Sequence, residues 1–441
     1  MAVWKAWVVR QFGVADAAVV MAVAFACSAL LGIVRQTMLG ATFGDGAEAA
    51  AYYAAARLPE TFITFVAGGA FTAALVPLLL AERDESAQQQ LMNVVLTTVG
   101  VAVALLSLIG MLATSWFVRI VLLPGIDAET QQLTIHVSRL LFLQPLLLAV
   151  VSVISAALTA HKRFGAIALA YVVHNPTIIL GIWVAQQWPS LSIYAPATGL
   201  VLAAVAKLCF VWAGMRGLQW KMAWAWQPQF PQLHRVLWLA LPTALSVTVN
   251  YAGSIVDTSF AAQFGVTTVA AIYSGWLLAD MPARLIGSAI GQAVFPHLAD
   301  AIVQQNIRAA RLLFWRTVLV AVALAIPVVI MLWFFGRWGI AVVLERGAFD
   351  EAAGDRTFAV LQWYIIGLPA YIMTELLSRM LNAMQNTHTP LLTNMMQLSA
   401  KWALLRWFGS SWGLVAVPMA HALTCYGETL VLAALVWRKV R

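Results

Sequence analysis

The chain has 441 residues, 62% of them hydrophobic and 10% charged, with a mean hydropathy of +0.85; soluble domains carry roughly 25% charged residues. Apolar runs of about 20 residues, enough to cross a bilayer, recur from Ala15 to Trp437 and leave no room for a soluble catalytic domain. The net charge of +8 is no argument for nucleic acid, because its distribution follows membrane orientation.

The N-terminal stretch "MAVWKAWVVRQFG" is basic, and the run after it is long and lacks a small-residue cleavage site, so it reads as a retained first helix and not a signal peptide. Hydropathy and breakers predict about twelve spans, near 15–39, 49–80, 91–117, 129–160, 164–186, 193–217, 233–262, 267–299, 310–335, 354–384, 388–408 and 411–437. With the N-terminus inside, thirteen basic residues, Lys162, Arg163 and Arg438 among them, fall on inner loops and tails, and five, including Arg119 and Arg337, fall outside. Both termini are therefore expected in the cytoplasm.

Two halves repeat at an offset of about 220 residues. Phe43-Gly44, Tyr53 and Pro77 recur as Phe264-Gly265, Tyr273 and Pro296, and the segment around Pro145 is echoed around Pro369. The expected fold is an all-α polytopic membrane protein. Residues 1–217 and 236–441 form two six-helix lobes related by a pseudo-two-fold along the membrane normal, with a central cavity and a Trp- and Pro-rich cytoplasmic linker at 218–235.

Lipid-facing charge near the bilayer centre costs a few kcal/mol, so ionisable residues inside spans mark interior positions. The first of these in the chain is Arg35. In "YYAAARLPETFITF", Arg57 and Glu60 flank Pro59, which bends a helix and frees a carbonyl where protein or a water-filled cavity can re-satisfy it. Asp280 and Arg284 bracket Pro282 in the second half. These residues line a polar cavity, or Arg57 and Glu60, at i and i+3, simply neutralise one another.

Asp257 follows Ser246, Thr248, Asn250 and Ser254, with no basic residue near it in its span. It must be protonated, paired across helices or bound to a cation; a monovalent cation such as sodium would want oxygens like those of Asn382 and Asn386. Glu375 and Arg379, at i and i+4, have the spacing of an ion pair, and Lys207 and Glu428 receive no role. Cys27, Cys209 and Cys425 are expected as small core residues. His136, His161, His174, His234, His297, His388 and His421 show no metal spacing, and no nucleotide fingerprint occurs.

Several motifs resemble, in order and spacing, those of the MurJ/MviN lipid II flippases of the MOP exporter superfamily: "SALLGIVRQTMLGATFG", "RLPETFITFVAGGAFTAALVPLL", "VLLPGID", "AHKRFGAIALAYVVHNPTIILG", "DMPARLIGSAIGQAVFPHLAD", "LERGAFD" and "LSRMLNAMQNTHTPLL". The resemblance spans the chain. It implies an alternating-access flippase, not an enzyme, in the bacterial inner membrane. Such a protein moves undecaprenyl-pyrophosphate-linked disaccharide-pentapeptide to the outer leaflet through a cationic cavity, as a monomer among membrane lipids.

By that resemblance Arg35 is the essential first-span arginine, Asp280 the retained eighth-span acid, and Asp257 with Asn382 and Asn386 the set implicated in cation binding. Three family arginines fall on Ala29, Ile63 and Leu277, and two tail-binding helices usual in the family have no counterpart among the twelve spans. Arg57 and Arg284 are positioned to replace lost charge, giving Arg35, Arg57, Arg284, Asp280 and Glu60 as the expected substrate site. Other readings are a flippase for another lipid-linked oligosaccharide, a cation-coupled exporter of small amphipathic molecules, or a transport-dead scaffold.

Overall fold

The computed structural model describes residues 7–67, 70–82, 84–218, 220–283, 286, 304, 306–383, 386 and 388–440. Fifteen α-helices lie among them: α1 Val14–Phe43, α2 Ala47–Ala67, α3 Ala70–Ala81, α4 Glu85–Phe117, α5 Ala128–Leu141, α6 Leu143–Ala160, α7 Phe164–Val172, α8 His174–Gln187, α9 Tyr194–Gly214, α10 Pro231–Ala262, α11 Val266–Ala283, α12 Ile307–Val343, α13 Glu351–Ala383, α14 His388–Trp412 and α15 Ala416–Val440. No strand occurs among the described residues.

Eight described segments are long and apolar enough to cross a bilayer, the last of them, His388–Arg438, containing both α14 and α15. The spans expected over 49–80 and 233–262 appear as α2–α3 and α10, and that over 267–299 begins as α11. Large apolar side chains stand outward on these helices, with Leu112 73%, Phe334 72% and Leu430 71% exposed. In water such surfaces drive association, whereas helices with every backbone bond internal are suited to hydrocarbon. Cys27 and Cys209 are also exposed, and only Cys425 is buried, which corrects the expectation of three core thiols. A thiol behaves as a small hydrophobe, so the outward face of an apolar span suits it as well as the core does.

The chain divides into two compact units, one of Met1–Phe43, Ala51–Val121 and Asp127–Tyr251, the other of Gly44–Ala50, Leu122–Ile126 and Ala252–Arg441. The division falls inside α10 and not at the expected linker. Leu233, Val236, Ala240 and Ala244 on the first half of α10 share one core with Leu91, Val95 and Val99 of α4 and Ile154 of α6, so burial of that face holds it in the first unit. The same half of α10 and α4 enclose an apolar groove of about 600 Å³ lined by Val99, Leu106, Leu237 and Trp238.

Linker residues 221–227 are strapped along α4. Gln89 and Asn93 donate to the carbonyl of Lys221 at 2.5 and 3.2 Å, while Asn93 Oδ1 and Thr97 Oγ1 accept the backbone N–H groups of Ala223 and Ala225 at 3.3 and 3.1 Å. Residues 89, 93 and 97 are one turn apart on one helix face, and their polar stripe stands in for the secondary structure that the linker lacks. Each bond contributes about 0.5–1.5 kcal/mol. The double variant Asn93→Ala/Thr97→Ala is therefore expected to raise trypsin cleavage after Lys221 about tenfold, read as the opened fraction.

Backbone conformation supports the internal repeat. Gly44 and Gly265, at matching positions, both take positive φ, 63° and 102°, a region open to glycine because it has no Cβ. At Gly44 a Cβ would stand 2.6 Å from the carbonyl oxygen of Ala348, which places the "FGDG" turn against the "LERGAFD" loop in the second unit. Asp45 binds Arg356 there, its Oδ2 lying 2.8 Å from Nε and 2.6 Å from Nη2. Glu345 pairs with Arg337, and Asp350 caps α13 by accepting from Ala353 N at 2.8 Å. The motif's polar residues thus fold a loop.

Candidate functional site

In the first unit, α1 presents Ser28, Gly32 and Arg35 along one face, at i, i+4 and i+7. Arg35 Nη1 donates to Asn175 Oδ1 at 3.1 Å; the Asn175 amide in turn donates to the Ser28 carbonyl at 2.7 Å and to Ser28 Oγ at 3.2 Å. Asn175 is 5% exposed and packs beside Gly32, where a Cβ would make an ordinary contact with Nδ2 at 3.7 Å. The result is a guanidinium aimed by a neutral acceptor. Among the described residues no carboxylate lies within ion-pair distance of Arg35.

On α2, Pro59 has no N–H for the carbonyl of Ala55. Ser138 Oγ of α5 donates to that oxygen at 3.1 Å, so protein re-satisfies the carbonyl that the proline frees. Around it, Arg57 Nη1 lies 3.6 Å from Glu60 Oε2, with side-chain exposures of 12% and 36%. This is the expected i, i+3 pair. The charges of both Arg57 and Arg35 act on Glu60, and those of Lys207 and Arg35 act on His174. Among the described residues that these influences connect, the cations Arg35, Arg57 and Lys207 outnumber the acid Glu60, an arrangement suited to an anion.

The second unit holds the remaining candidates. Asp280 is buried on α11, 9% exposed. Arg284 and the side chain of Asn382 lie outside the described residues. Asp257 takes the cross-helix alternative: Lys401 Nζ of α14 stands 2.8 Å from its Oδ1, with side-chain exposures of 4% and 18%. Asn386 is engaged locally as the cap of α14, its Oδ1 accepting from Thr389 N at 3.3 Å and its Nδ2 donating to Thr389 Oγ1 at 2.8 Å. Glu375 and Arg379 form their expected pair at 2.6 Å. Glu428, 7% exposed, is buried on α15.

Sequence reasoning passed over Asn175 and Lys401, and gave Lys207 no role. The signals were present in "VVHNPT", where a polar pair interrupts an apolar run before a proline, and in "LSAKWALL", where a lysine stands inside one. Neither pattern names its partner.

The fold matches those of solved transporters. One is the lipid II flippase MurJ in an inward closed conformation, with a TM-score of 0.83 and 19% identity, covering 95% of this chain and 87% of that one. Another is an inward-facing multidrug resistance MATE family transporter of the MOP superfamily, with a TM-score of 0.80 and 14% identity, covering 94% of each chain. Those likenesses define the fold class: a polytopic α-helical protein with the fold that these two transporters share.

Residues 39–441 match the family described as lipid II flippase MurJ. Similar relatives include the probable lipid II flippase MurJ of Rhizobium tropici, 27% identical over 82% of this chain and 70% of that protein, and the lipid II flippase MurJ of Burkholderia cenocepacia, 26% identical over 82% and 72%. The chain belongs to the MurJ lipid II flippase family.

Proposed function

We propose that this protein is an alternating-access flippase of the bacterial inner membrane that moves lipid II from the inner to the outer leaflet. The observation that carries the reading is Arg35, a half-buried guanidinium held by Asn175, in a chain of this family. A pyrophosphate headgroup needs charge-assisted donors, and an arginine fork matches its oxygens. Arg57 and Lys207 supply further positive charge around Arg35, in place of the family cations absent at Ala29 and Ile63. The apolar groove between α4 and α10 offers the prenyl tail a seat within the bilayer, where the headgroup alone enters polar surroundings.

The decisive experiment is complementation of a strain depleted of its lipid II flippase. Growth restored by this chain is the expected result. Lysis despite normal amounts of protein in the membrane would transfer the reading to another lipid-linked oligosaccharide. Orientation has its own test, resting on the charge bias: reporter fusions after His161 and after Arg441 are expected to read cytoplasmic, and one between Gln187 and Ser192 external.

A further inference from the structure

The family resemblance implies a free monovalent cation at Asp257, and the residues present do not fit one. Asp257 and Gly253 are one helical turn apart on α10, which turns a carboxylate and a backbone carbonyl to the same side. Those are the oxygens a hard cation would use. Lys401 already uses them: its Nζ lies 2.8 Å from Asp257 Oδ1 and 3.5 Å from the Gly253 carbonyl oxygen. The ammonium also packs closely on Gly253, where a Cβ would stand 3.3 Å from Nζ and would require it to give by a few tenths of an ångström. A free cation held by the same oxygens would sit within a few ångströms of an ammonium in low dielectric, where like charges repel strongly. Asn386, the described member of the expected amide pair, spends its oxygen on the cap of α14.

We propose that the Lys401 ammonium is the built-in counter-cation of Asp257, so that the second unit requires no free monovalent cation there, and that Asp257 takes sodium only when Lys401 is removed. A tethered cation has an effective concentration set by its own helix and not by the medium. The pair therefore stays closed whatever the sodium level outside. The inference is independent of which lipid-linked glycan is carried, and its test uses no substrate.

The test is thermal unfolding of the purified full-length protein in sodium chloride against choline chloride at equal ionic strength. Because a ligand raises the midpoint of the state that binds it, wild type is expected to melt at the same temperature in both salts. Lys401→Ala should melt lower in choline and regain stability in sodium in a concentration-dependent way, and Asp257→Asn/Lys401→Ala should lose that response. Two results would overturn the proposal: sodium-selective stabilisation of wild type that Asp257→Asn abolishes, or a folded Lys401→Ala that is indifferent to sodium. Should Lys401→Ala fail to fold, Lys401→Gln, which keeps the length of the side chain without its charge, is read by the same criteria.

Discussion

Replacing Arg35 by alanine is expected to abolish flipping with no loss of protein from the membrane. A hydrogen bond to a charged group contributes about 1.5–3 kcal/mol, so losing the fork should weaken headgroup binding about tenfold or more. Arg35→Lys should rescue in part, because lysine keeps the charge and loses the planar pair of donors. Asn175→Ala should fall between the two: it leaves the guanidinium in place and removes the oxygen that aims it. Transport measured in vesicles carrying each variant checks the series, and wild-type flipping by Arg35→Ala would remove this cluster from the headgroup site. Arg57 needs a further control because it is paired with Glu60. If Arg57 serves the headgroup, the double variant Arg57→Ala/Glu60→Ala should transport no better than Arg57→Ala alone; recovery in the double variant would reduce Arg57 to a neutralising partner.

The largest stability effect is expected at the buried ion pair of the second unit. Removing one member of such a pair leaves an uncompensated charge and costs about 3–5 kcal/mol, while replacing both members by neutral groups is often close to neutral. Lys401→Met in sodium-free medium should therefore lower the unfolding midpoint sharply, as it strands Asp257 with 18% of its side chain exposed. Asp257→Asn/Lys401→Met should restore most of the loss. Equal destabilisation by the single and the double variants would show that Lys401 contributes by packing and not by charge.

The multi-pass membrane character was legible in the sequence because the signal behind it is local. An apolar run of sufficient length has few alternatives in a bilayer, since every backbone polar group must be satisfied within the segment. The repeat was legible for a similar reason: Gly44 and Gly265 stand where the backbone takes positive φ, a demand on residue type at one position. Pro59 announced a freed carbonyl in the same way, and Ser138 Oγ donates to it, on Ala55, at 3.1 Å.

Partners were not legible, because they are chosen by helices distant in sequence. The residues 28–35 gave no sign that Asn175 would meet Arg35, and the span around Asp257 none that Lys401 would cross to it. The unit boundary inside α10 was hidden for a related reason: composition shifts at 218–235, but the burial that assigns Leu233 to Ala244 depends on which helices they face. By itself, then, the sequence determined the class, its multi-pass membrane character and the family, which rest on hydropathy, local backbone demands and motif spacing. Only the tertiary structure decided which charges are neutralised and by what, because in low dielectric a charge's role is set by the partner within a few ångströms, and that partner comes from another helix.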